Sequence, residues 1–194
     1  MNITGNKQSL RLLVFMLFFP IFTAGLVTVI WGSTVFGSAL SLEKGRPIPS
    51  VTVIGKDGEA VSLDTLKGHV TLISVVPQLN TPVCDEQTHY FSERNGGLDQ
   101  SITFVTLSTN TYRDQQEFSA KTNIHNMTFL SDAPHYQFGT HTGLLLENLS
   151  ILQRTVLVLD TKGIIRYVER VPMGQLPDFD QALRVSQSLL PNAS

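Results

Sequence analysis

Pro77-Gln78-Leu79-Asn80-Thr81-Pro82-Val83-Cys84 contains the only cysteine of this 194-residue chain. Val70-Thr71-Leu72-Ile73-Ser74-Val75-Val76 leads into it, and a polar run opening Asp85-Glu86-Gln87 leads out. The first run is apolar on both faces and reads as a strand of a sheet covered on both sides. The second reads as a helix, with Val83, Gln87, Tyr90 and Phe91 falling on one side. A thiol at such a junction meets the positive end of the helix and its unpaired backbone N–H groups, which favour an anion and therefore the thiolate. The stretch predicts a one-cysteine redox centre.

Working outward, the helix over 85–94 stops at Asn95-Gly96-Gly97. A second central strand follows over 102–108, then a short polar helix over 111–122 and a third strand over 127–130. Residues 135–152 are mixed and predict a helix and a loop. A β-prone run, Thr155-Val156-Leu157-Val158-Leu159, turns at Asp160-Thr161-Lys162-Gly163 into an antiparallel partner over 164–168. The closing helix, 177–190, has Phe179, Leu183 and Leu190 at helical spacing. On the amino-terminal side, 51–54 and 60–63 flank Lys56-Asp57-Gly58 as a hairpin, and 64–68 forms a single turn. Strands alternating with helices, then a terminal hairpin and helix, give an α/β domain over 45–194 with a mixed central sheet flanked by helices.

Ahead of that domain lie a short polar start, 1–11, and a stretch from 12 to 42 with no charged residue. A membrane span needs about 20 apolar residues, so 12–39 is expected to be a single transmembrane anchor. Membrane helices tolerate Pro20 and Gly25, and Trp31 suits an interfacial position. A cleaved secretory signal, cut near Gly37-Ser38-Ala39, is the alternative, but its apolar region would be shorter. Basic residues are balanced across the span (Lys7 and Arg11 against Lys44 and Arg46), and the signal-like order favours an extracytoplasmic domain. Gly45-Arg46-Pro47-Ile48-Pro49 marks the boundary.

A formal net charge of −2 argues against a nucleic-acid partner. One cysteine excludes an intramolecular disulfide, the Cys-x-x-Cys motif and any metal site built on several thiolates. The five histidines show no metal-ligand spacing, so neither metal nor cofactor is expected. The sequons at Asn2, Asn126, Asn148 and Asn192 are short enough to occur by chance.

The loop Pro77-x-x-x-Thr81-x-x-Cys84, with Arg154 immediately before its strand, resembles the peroxiredoxins, and specifically their thiol peroxidase subfamily. Phe91, the Leu130-Ser131-Asp132 stretch and Pro177-Asp178-Phe179-Asp180-Gln181-Ala182-Leu183 match it too. The resemblance implies a thioredoxin-like fold and reduction of hydrogen peroxide or organic hydroperoxides. It makes Cys84 the peroxidatic nucleophile, Thr81 the hydroxyl that holds thiolate and peroxide, and Arg154 the cation that stabilises both. Pro77 and Val83 would shape the substrate pocket. It also implies a homodimer.

Three departures matter. Ser119 stands where the subfamily commonly has a resolving cysteine, so the cycle needs an external thiol or a thioredoxin-like reductant. Gln78 and Asn80 replace the usual serine and aspartate. Asp85 and Glu86 would oppose a charge on the sulfur unless they point away. An impaired redoxin-fold sensor or interaction module is the alternative reading.

Overall fold

The computed structural model describes residues 42–191. The expected anchor at 12–39, the polar start at 1–11 and the alternative cut at Gly37-Ser38-Ala39 lie outside them. Among the described residues no helix is long and apolar enough to cross a membrane.

In chain order the domain runs β1 (Thr52–Ile54), β2 (Ala60–Ser62), β3 (Thr71–Val75), α1 (Pro82–Glu93), β4 (Thr103–Ser108), α2 (Tyr112–Thr122) and β5 (Thr128–Ser131). It continues with α3 (Gln137–Thr142), β6 (Leu145–Leu146), β7 (Ile151–Leu152), β8 (Thr155–Leu159), β9 (Ile165–Arg170) and α4 (Phe179–Ser188). Seven strands form one mixed sheet in the order β2-β1-β5-β4-β3-β8-β9, and β6 and β7 form a separate two-stranded ladder. β3, β4 and β5 are parallel, whereas β8 runs antiparallel to β3 and β9 antiparallel to β8.

Period-2 alternation divides the core. Ile73, Val75, Leu157 and Leu159 point to one face with Phe138 of α3. Leu72, Val156 and Val158 point to the other with Phe91 of α1 and Ala182 of α4. Each fully buried Leu, Ile or Val stabilises the fold by about 1.5–3 kcal/mol relative to exposure. The α/β arrangement agrees with the sequence, with two differences. α1 opens at Pro82, not after the cysteine, because proline at the first helical position loses no needed N–H. The segment predicted as helix and loop also contains the β6–β7 hairpin, whose two-residue strands are too short to show alternation.

The topology brings the central residues together. Val75, at the carboxyl end of β3, pairs with Thr155, at the start of β8. The loop leaving β3 and the residue entering β8 therefore share one end of the sheet.

Candidate active site

Cys84 is the third residue of α1 and is 1% exposed. Val76, Leu79, Phe118, Ile124 and Phe129 pack around it. Arg154 reaches the sulfur from the connection between β7 and β8: its Nη2 donates to Cys84 Sγ at 3.1 Å. The guanidinium is itself only 3% exposed. Its Nη1 donates to Gln87 Oε1, and Gln87 Nε2 donates to Ser74 Oγ at 2.8 Å. Among the described residues no carboxylate pairs with Arg154. A buried cation without a counter-charge is costly. The Cys84 sulfur is the group that the guanidinium meets, and a hydrogen bond from a charged donor is stronger than a neutral one.

The helix start adds to this. Pro82 has no N–H to satisfy, and Thr81 at the cap position makes no side-chain capping bond. Its Oγ1 donates instead to Gln78 O at 3.1 Å, across the loop. The backbone N–H groups of Val83 and Cys84 are thus left uncapped by a side chain, beside the sulfur. The loop is pinned from β4's side: Asn110 Oδ1 accepts from Leu79 N at 2.8 Å, and Thr109 Oγ1 donates to Pro77 O at 3.4 Å.

Of the residues singled out by sequence, Cys84 and Arg154 are in direct contact. Thr81 stands three residues ahead of the sulfur with its hydroxyl turned toward Gln78. Pro77 is buried at the loop's start, and Val83 is half-buried in the first turn. Asp85 lies 3.6 Å from His89 Nε2, and Glu86 is exposed. Ser119 is half-buried and donates to Ile124 O at 2.6 Å. Sequence reading missed Gln87 and Ser74 as site residues. Gln87 sits three residues after Cys84, hence on the same helix face, and that spacing was the available signal.

A cleft of about 680 Å³ opens between the first turn of α1 and the end of α2, bounded by Leu79, Thr81, Pro82, Phe118 and Lys121. Among the described residues no group of His, Cys, Asp and Glu is gathered to hold a metal.

The family model described as Redoxin matches residues 43–183. A thiol peroxidase of Listeria innocua is 35% identical over 144 residues, which are 74% of this chain and 87% of that protein. A thiol peroxidase of Staphylococcus haemolyticus is 36% identical over 154 residues, 79% of this chain and 92% of that one. The crystal structure of a peroxiredoxin-like protein from Aquifex aeolicus superposes with a TM-score of 0.70 at 29% identity, covering 77% of this chain and 89% of that one.

Proposed function

We propose, since the chain belongs to the Redoxin family and its relatives of similar length are thiol peroxidases, that it is a thiol-dependent peroxidase with Cys84 as its nucleophile. The observation that carries this reading is the buried guanidinium of Arg154 donating to Cys84 Sγ at 3.1 Å with no carboxylate to neutralise it. The thiolate attacks the distal oxygen of a hydroperoxide. An S–O bond forms, the O–O bond breaks, and the sulfur loses two electrons to become a sulfenic acid. The leaving alkoxide or hydroxide takes a proton from solvent.

Negative charge grows on the leaving oxygen, which calls for fixed donors. Arg154 and the uncapped N–H groups of Val83 and Cys84 supply them. Thr81, already donating to Gln78 O, retains acceptor lone pairs for the hydroperoxide O–H. Pro77 and Val83 shield the pocket from water.

With serine at 119 the sulfenic acid must be returned to thiol from outside. An external thiol, small or carried by a thioredoxin-like protein, forms a mixed disulfide with release of water, and a second thiol then frees Cys84. The reading extends to a homodimer and to an anchor over 12–39 that holds the domain at the extracytoplasmic side of a membrane. Ser119 favours one rival, a redox sensor that is oxidised once and does not turn over. Steady-state peroxide consumption with thiol reductants tests this: sustained turnover supports the peroxidase, and a single burst with full-length protein supports the sensor. Resistance to carbonate extraction tests the anchor, and release would contradict it.

A further inference from the structure

Asp132 is 2% exposed and takes no part in the reaction drawn above. Its two carboxylate oxygens accept from the first N–H groups of α3: Oδ1 from Phe138 N and Oδ2 from Gly139 N, both at 2.8 Å. Its own carbonyl accepts from Tyr136 N at 2.6 Å. The far end of α3 is tied forward, because Gly139 O accepts from Leu144 N at 2.9 Å and Leu144 O accepts from Gln153 N at 2.8 Å. Gln153 is the residue before Arg154. The middle of α3 lies hard against the β6–β7 hairpin: a Cβ on Gly139 would stand 2.6 Å from Leu152 and 2.9 Å from Leu145. Asp132 thus holds α3, α3 holds the hairpin, and the hairpin delivers Arg154 to Cys84. Arg154 has a second backbone anchor in Val171 N, which donates to its carbonyl.

We propose that Asp132 is a positioning residue for Arg154, so that the reactivity of Cys84 toward peroxide depends on the two acceptor oxygens of a carboxyl group placed at the start of α3. The inference rests on the peroxidase reading of Cys84 and Arg154. Two facts support it. An asparagine of the same shape would satisfy only one of the two N–H groups and turn its NH₂ donor onto the other. Burial also pushes the Asp132 carboxyl up to about 6, with the two backbone bonds and the charge of His141 opposing that rise. β1, β5, β6 and β7 contain no charged residue, His141 is the charged partner on α3, and His135 is exposed. A buried ionised carboxylate that costs stability is better explained by what it orients than by what it stabilises.

The test uses the full-length chain, wild type and Asp132→Asn, with two readouts from pH 4.5 to 8. One is the single-turnover rate of Cys84 oxidation by hydrogen peroxide. The other is amide hydrogen exchange of 137–154, compared with that of β4 and corrected for intrinsic exchange. At pH 7.5 the variant should oxidise about tenfold more slowly and exchange 137–154 about tenfold faster, with β4 unchanged. In wild type the protection of 137–154 should fall as pH rises toward and through about 6, with an inflection in the oxidation rate over the same range, and the variant should lack both. Wild-type protection of 137–154 that is flat across this range overturns the proposal even where Asp132→Asn does not fold. So does a folded variant that keeps the wild-type rate and pH profile within twofold, or one that loosens 137–154 without slowing oxidation. A wild-type thiol no faster than free cysteine refutes the peroxidase reading instead, and exchange then decides the link from Asp132 to the Arg154 segment.

Discussion

Two strand-to-helix junctions stand side by side in this sheet and are finished in opposite ways. β4 enters α2 through Thr111, whose hydroxyl accepts from Asp114 N while the Asp114 carboxylate accepts from Thr111 N, a complete capping box. β3 enters α1 through Thr81, also a threonine in the cap position, but its hydroxyl caps nothing. The α2 start is closed by its own side chains. The α1 start is left open, with a sulfur and a buried guanidinium beside it. An N-terminal cap is worth about 1 kcal/mol, so the α1 start lacks a stabilisation that the α2 start has, which fits the anion-binding role proposed for it. Ser119, further along α2, carries the same contrast into function: its hydroxyl is bonded to Ile124 O, with no thiol there to meet the sulfenic acid.

The largest effect that would break this comparison is at Arg154. Arg154→Ala should slow Cys84 oxidation by about 10²–10³-fold in stopped-flow measurements, the range for loss of a main charge-stabilising donor. Arg154→Lys, which keeps the charge and loses the fork, should fall between. Next come the two threonines. Thr81→Val should slow oxidation by about tenfold while shifting the denaturation midpoint little. Thr111→Val should cost about 1 kcal/mol of stability by urea unfolding and leave the oxidation rate unchanged. Equal behaviour of the pair would remove the distinction. Gln87→Leu is expected to be smaller still in rate, about fivefold, with about 1–3 kcal/mol lost because Ser74 and Arg154 each lose a buried partner.

The last effect concerns acid and is read in stability, not in rate. The Asp132 carboxyl stands at about 6 in the folded protein against 3.8 in the unfolded chain. The folded state therefore holds an extra proton between those values. Stability from this group is fully present below about 4, is lost as pH rises toward 6 and is flat above it. The total is on the order of 2–3 kcal/mol. Thermal unfolding from pH 4 to 7 should show that slope in wild type and a shallower one in Asp132→Asn.

Much of this was legible in the residues. β8 is a continuous β-branched and aliphatic run, β3 is broken only by Ser74, and Gly96-Gly97 and Gly163 punctuate the chain where the backbone takes positive φ. Cys84 was read from its place between a strand and a helix start and Arg154 from resemblance, and the antiparallel Val75↔Thr155 register explains physically why residues so far apart in sequence meet. What could not be read was direction. A half-buried threonine before a helix looks like a cap, and only the fold shows its hydroxyl turned to Gln78. Gln87 reads as one more polar helix residue until Ser74 and Arg154 arrive on either side of it. The β6–β7 hairpin is too short for periodicity, and the Asp132 bonds that fix the neighbouring α3 run to backbone N–H groups that no side-chain pattern encodes.

On the proposed reading, Arg154 and the open start of α1 make Cys84 a peroxide-reactive thiolate. The direct measurement is the second-order rate of Cys84 oxidation in the full-length protein by hydrogen peroxide and by an organic hydroperoxide, beside free cysteine at the same pH. The rate should be at least about 10³-fold above that of free cysteine and should collapse in Arg154→Ala. A wild-type rate equal to that of free cysteine would contradict it.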